Sequence, residues 1–230
     1  MQMSEAVVNK VEVSSANCSH CGAALSGEHF CTECARIQPV ASQTDFFAFI
    51  GLPRKLGLDE GELEKSFYAL SRQFHPDYFM SASEAERQAS MERSSMLNDA
   101  YRTLRDRVAR AQYLLSLEGY KEAEKKAPPD LLEEVFELNM QIEELKAAKK
   151  MADEDEIAEA IASLEDALTG LRAKLGEIDE RLFAQFEKWD SVLENNSASG
   201  EKKNVLDRMS ELLSHRSYIR NLVRDITEVL

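Results

Sequence analysis

Glycine and proline are scarce in this chain, 9 and 5 among 230 residues. With Leu, Ala, Glu and Lys abundant, that scarcity favours helices over strands. No run of eighteen apolar residues occurs, so no transmembrane helix is expected. The opening MQMSEAVVNKVEVSS has no long apolar core, which argues against a secretory signal. It also has Glu5 and Glu12 but no Arg, which is wrong for a mitochondrial presequence. Positive charge is in deficit, with a formal net charge of −14. Phosphate backbones are bound through Lys and Arg, so a general nucleic-acid binder is excluded. There is no Gly-rich phosphate loop and no nucleophile–base arrangement. His215 stands alone in LLSHRSY and reads as a surface residue rather than a catalyst. Cysteine is absent outside Cys18–Cys34.

What is present suffices for packed cores: 43% of residues are hydrophobic. The negative charge is concentrated late in the chain. Residues 1–43 and 44–118 each carry a net −2, and residues 119–230 carry 16 basic against 26 acidic residues, net −10. A segment with so different a surface suggests its own partners. Three segments are expected: 1–43, 44–120 and 121–230.

The four cysteines read C18-S-H-C21-G and, with nine residues between Cys21 and Cys31, C31-T-E-C34. Two facing Cys-x-x-Cys pairs can offer four thiolates to one tetrahedral zinc, with Gly22 easing the first turn. So short a segment has no core of its own, and metal binding would supply its folding energy. Two disulfides do not suit a reducing compartment, and a thioredoxin-like site lacks its βαβ setting. An iron centre uses the same ligand type, and the spacing leaves it open. With four Cys available, His20 and His29 read as surface residues. A reducing compartment, the cytosol, is the simplest location. A matrix protein with its presequence removed would read the same way.

After the linker ARIQPVASQT, TDFFAFIGLP predicts a short helix capped by Thr44 or Asp45. Asp59 caps the next helix, with Glu62 three residues on. There Leu63, Phe67, Leu70 and Phe74 form one apolar stripe, and Lys65 and Arg72 share an exposed face. Pro76 removes a backbone donor and forces His75 out of helical geometry, so the helix stops at His75-Pro76-Asp77. Ser83 caps a third helix with Ala89, Met96, Ala100, Tyr101 and Leu104 on one face. Helix, HPD loop and helix make a hairpin, and the Phe-rich helix closes its core.

DFFAFIGLP, LEKSFYALSRQFHPDYF and LNDAYRTLRD together resemble a J-domain, the module of DnaJ-type co-chaperones. RVARAQYLLSLEGY (Arg107–Tyr120) resembles the corresponding helix of the HscB family of iron–sulfur co-chaperones. Such proteins often have Pro where Arg107 stands. Eukaryotic and some bacterial HscB relatives also carry an N-terminal four-Cys segment, so the resemblance covers nearly the whole chain. It implies contact of His75, Pro76, Asp77, Lys65 and Arg72 with a DnaK/HscA-type chaperone, whose ATP hydrolysis is stimulated. The chain itself would not be an enzyme. A general DnaJ-type co-chaperone for unfolded clients is the alternative.

In the acidic segment, KEAEKKAPPD is a linker and Asp130 a cap. LLEEVFELNMQIEELKAAKK predicts an amphipathic helix. From Ile157 to Leu193, apolar residues recur in steps of three and four along one long helix. NNSASG breaks it, and a last helix runs from about Lys203 to Val229. Three helices with short connections predict an antiparallel bundle, making the protein all-α. A two-chain coiled coil through the seam is the runner-up and leaves a homodimer open. DLLEEVFELNMQIEEL resembles the HscB segment that grips the IscU-type scaffold. The resemblance implies scaffold contact through Leu132, Glu133, Phe136, Glu137, Met140 and Glu144, with Tyr218 completing the patch.

Overall fold

The computed structural model describes residues 17–18, 20–41, 44–120, 131–195 and 199–230. The linker with Pro128, Pro129 and the cap Asp130 lies outside them. Seven α-helices are described: α1 (Phe46–Ile50), α2 (Glu60–Phe74), α3 (Glu84–Arg105), α4 (Arg107–Leu117), α5 (Leu132–Met151), α6 (Glu154–Glu194) and α7 (Ser199–Val229). A 3₁₀ turn, Pro76–Phe79, lies between α2 and α3. Among the described residues the only β pairing is two isolated bridges, Asn17 with Ala24 and Phe30 with Ile37. The chain is all-α, as expected.

Two compact units divide it: Met1–Pro53 with Asp59–Arg105, and Arg54–Leu58 with Asp106–Leu230. Residues 54–58 and α4, which the sequence places in the middle segment, group with the second unit.

In the first unit, α1 is capped by Asp45, whose carboxylate accepts from Phe47 N at 2.9 Å. It stops at Gly51, whose φ of 81° is open to a residue without Cβ. Asp59 accepts from Glu62 N at 2.8 Å and starts α2. Ser83 and Glu86 cap each other's backbone at the start of α3, a capping box. The two long helices run antiparallel. Ser90 and Ser94 of α3 donate to the Phe74 carbonyl, and about two turns away Phe67 stacks on Tyr101 with centroids 4.2 Å apart. Leu63, Phe74, Leu97, Ala100 and Leu104 are buried between them, with Phe47, Phe49 and Ile50 of α1.

The second unit is a helical bundle. Leu138, Leu145 and Ala148 of α5 are buried, along with the Leu164–Trp189 seam of α6 and Val205, Met209, Leu212, Ile219 and Ile226 of α7. The seam is therefore filled within one chain. Lys174–Glu134 at 2.6 Å and Arg216–Asp179 at 2.5 Å tie neighbouring helices. The α5–α6 turn is two residues, Ala152 in the left-handed region and Asp153 capping α6. The last helix starts at Ser199, four residues before Lys203. Asp106 caps α4, and Arg107, in place of the frequent Pro, lays its guanidinium 3.6 Å from the Phe183 ring centroid.

Candidate functional site

The end of α2 is assembled from buried stem to exposed tip. Phe74 is fully buried, and its carbonyl accepts from Ser90 Oγ at 2.6 Å and Ser94 Oγ at 2.9 Å. Those bonds stand in for the Tyr78 N–H, which goes to the His75 carbonyl once α2 has ended, so the Phe74 carbonyl keeps donors past the end of the helix. His75, Pro76 and Asp77 are all exposed immediately beyond. His75 Nδ1 accepts from Asp77 N at 3.3 Å, and its carbonyl accepts from Tyr78 N at 3.0 Å. With Nδ1 so engaged, Nε2 is the ring's remaining donor. The Asp77 carboxylate stands 3.6 Å from Nδ1 with 77% of its side chain exposed, so it is free for an external cation. A stiff polar tip sits on a packed stem.

Lys65 and Arg72 are exposed on α2, as expected for one face. Between them, and missed by the sequence reading, lies Tyr68, 55% exposed; Tyr78, 72% exposed, is a second omission beside the His75 ring. The signal for Tyr68 was its place three residues after Lys65 and four before Arg72.

The four cysteines converge. Their sulfurs all lie within 4.8 Å of one another. Two like hairpins bring them in. Cys18 N bonds Ala23 O and Gly22 N bonds Cys18 O; Cys31 N bonds Arg36 O and Ala35 N bonds Cys31 O. Thiolate–zinc bonds of about 2.3 Å in a tetrahedron set S···S edges at about 3.8 Å. Cys18–Cys34 at 3.7 Å and Cys21–Cys31 at 3.6 Å match such edges, and four thiolates so placed can hold a metal ion. The backbone N–H groups of Cys21, and then of His20, pull the Cys18 thiol down to about 6. At Cys21 and Cys34 the backbone bonds also lower the thiol, but burial and the neighbouring thiols together outweigh them and push both up.

The hairpins differ at one point. Gly22 has φ 74°, but its counterpart Ala35 has φ 56° with a Cβ. Ala35→Gly relieves that left-handed strain at some cost in chain entropy, for a net gain of about 0.5–1 kcal/mol. Metal affinity should therefore rise about twofold to fivefold in a chelator competition.

His20 is exposed, but His29 is not the surface residue expected. Its ring packs edge-on against Phe49 and Phe74, both at 4.9 Å. Burial, and then the neighbouring Arg93 charge, push it down to about 4, so at neutral pH Nδ1 accepts from the Arg93 guanidinium at 2.5 Å.

On α5, the inner face is Leu138, Leu145 and Ala148. Leu132, Phe136 and Met140, at four-residue steps, turn outward with 54%, 66% and 48% of their surface exposed. Glu133, Glu137 and Glu144 are exposed on the same helix. Tyr218, on α7, is half-buried against the bundle core, so part of its ring is committed to packing.

A helical hairpin with HPD at its tip defines a J-domain, and a family described as DnaJ domain matches residues 45–113. The relatives are more particular. The chain is 29% identical to the mouse iron-sulfur cluster co-chaperone protein HscB, over 91% of this chain and 80% of that one. It is 36% identical to a co-chaperone protein HscB homolog of Vibrio cholerae, over 62% of this chain and 78% of the relative. The crystal structure of human co-chaperone protein HscB shares its fold with a TM-score of 0.66 at 24% identity, over 93% of this chain and 98% of that one. This chain belongs to the HscB co-chaperone family.

Proposed function

We propose that this protein delivers an iron–sulfur scaffold of the IscU type to a DnaK/HscA-type chaperone and stimulates that chaperone's ATP hydrolysis. The observation that carries the reading is the exposed His75-Pro76-Asp77 tip on the buried Phe74 stem. No residue at that tip performs chemistry, because the ATP sits on the partner. Asp77 offers a carboxylate to a chaperone Arg, a charge-assisted bond. His75 offers its ring N–H, and Pro76 limits the entropy lost on docking. Lys65 and Arg72 add positive charge beside the tip. A loop that fits one chaperone conformation better than another shifts the population toward it.

Scaffold contact is assigned to the α5 face with Leu132, Glu133, Phe136, Glu137, Met140 and Glu144, joined by the exposed part of Tyr218. Carrying both contacts on one chain raises the scaffold's effective concentration at the chaperone. The four cysteines are assigned to a structural zinc. Their hairpins and free thiols suit the reducing interior of a cell or of a mitochondrion. No described helix is long and apolar enough to cross a membrane.

The test is steady-state ATP hydrolysis by an iron–sulfur-dedicated DnaK-type chaperone with scaffold present. The intact protein should stimulate strongly, and His75→Gln should abolish the stimulation while leaving helicity and melting temperature unchanged. A folded wild-type protein that gives no stimulation would sink the reading.

A further inference from the structure

The cysteine knuckle and the HPD stem meet at one side chain. Arg93 of α3 is only 4% exposed. Its guanidinium lies over the rings of Phe49 and Phe74, at 5.8 and 5.7 Å. It donates to His29 Nδ1 at 2.5 Å, Gln38 O at 2.5 Å and Pro39 O at 3.2 Å. All three acceptors come from the cysteine segment. His29 and Gln38 form the foot of the second hairpin, where Gln38 N bonds His29 O at 3.0 Å. Cys31 and Cys34 hold that hairpin's turn. On the same stretch of α3, Ser90 and Ser94 hold the Phe74 carbonyl, one residue before His75.

We propose that the cysteine knuckle is a clamp on the HPD loop: its metal-held hairpin supplies the acceptors that keep Arg93 buried against Phe74, and unloading the cysteines loosens the loop. The clamp rests on the metal reading above and deepens it by giving the knuckle a task in chaperone contact. A knuckle this short has no core to keep it folded without its ion. Once it opens, Arg93 is a buried charge without acceptors, a state costly enough to drive the side chain out to water. The outward swing strips the cover from Phe49 and Phe74 and disturbs the turn of α3 that holds the Phe74 carbonyl. His75, Pro76 and Asp77 then lose the packed stem that fixes their geometry. Arg93 and His29 are positioning residues in this scheme.

Native-state hydrogen exchange on the full chain tests it without any chaperone. Metal content is measured first, then removed with EDTA under reducing conditions. A Cys21→Ser/Cys34→Ser variant gives the unloaded state independently. Unloading should speed exchange at the amides of Asp77, Tyr78 and Phe79 by about tenfold, while amides in the middle of α6 change by less than about twofold. Arg93→Met keeps much of the side-chain volume and needs no acceptors. It should retain the metal yet already exchange at the faster rate in the HPD turn, and chelation should add less than about twofold, the non-additivity expected of one shared link. Unchanged exchange in the HPD turn after verified metal loss would overturn the clamp, as would a metal-loaded Arg93→Met that matches wild type. The wild-type arm decides alone if Arg93→Met does not fold. A protein that binds no metal would defeat the metal reading and the clamp with it. Failure to stimulate ATP hydrolysis, with the exchange shift present, would defeat only the co-chaperone reading.

Discussion

Trp189→Ala should destabilise the second unit by about 3–5 kcal/mol, the range for deleting a buried aromatic ring. The chain has a single Trp, and it is 2% exposed near the end of the 41-residue α6. Its Nε1–H donates to the Arg54 carbonyl at 3.1 Å. The next residue, Asp190, accepts from the N–H groups of Leu56 and Gly57 at 2.8 and 2.7 Å. Between these bonds Leu56 is fully buried in the bundle core. The Trp189–Asp190 pair thus fixes the four-residue stretch from Arg54 to Gly57 as well as filling core volume. A Cβ at Gly57 would meet the Asp190 carboxylate at 2.8 Å, so a side chain there would make the carboxylate shift from the two N–H groups it holds. Deleting the ring leaves a cavity and removes the donor from the Arg54 carbonyl. Urea denaturation followed by circular dichroism at the helical band measures the loss. Trp189→Phe keeps most of the ring and should cost about 1–2 kcal/mol, near the worth of one hydrogen bond plus a small void. A loss below about 1 kcal/mol for Trp189→Ala would mean the loop is held by Asp190 alone.

The helices were legible wherever a period and a cap coincided. Leu63, Phe67, Leu70 and Phe74 repeat at helical spacing behind Asp59, and α2 runs where that pattern runs. The seam from Ile157 to Leu193 marked α6 because each apolar residue faces a neighbouring helix. The start of α7 was less legible. Its first turn is Ser-Gly-Glu-Lys, without an apolar residue to mark the periodic face. The cysteines could be grouped by spacing alone because each pair closes its own turn. What spacing could not give was the surface on which the knuckle rests. His29 was read as exposed because its burial depends on Phe49 and Phe74, twenty and forty-five residues later. Arg93 stands among the charges of ERQASMERSS, and nothing in that stretch alone singles it out. Its position, four residues after Ala89 and four before Leu97, was the available signal, because it falls in the buried stripe of α3. An Arg in an apolar stripe requires acceptors from outside its helix. Here they come from a segment that has no periodicity to read.

Phe136→Ala should weaken binding to an IscU-type scaffold by about 10–30-fold, or about 1.4–2 kcal/mol, without lowering stability. The argument turns on exposure. Phe136 is 66% exposed, so truncation removes almost no core contact and stability should stay within about 0.5 kcal/mol. Large apolar side chains exposed at four-residue steps bury area only when a partner covers them. Leu132→Ala and Met140→Ala should each cost binding about 3–10-fold, and the triple variant at least about 100-fold. The neighbouring carboxylates act differently. Glu133, Glu137 and Glu144 remain at the solvated edge and should govern association rate and its salt dependence more than residence time. Leu138→Ala is the control on the same helix. Leu138 is 4% exposed and faces the core, so its loss should cost about 2–5 kcal/mol of stability and reduce binding only through unfolding. Titration calorimetry with purified scaffold, paired with a thermal melt of each variant, separates the two faces. An unchanged Kd for the triple variant would remove α5 from the scaffold contact and leave its three outward apolar residues without that role.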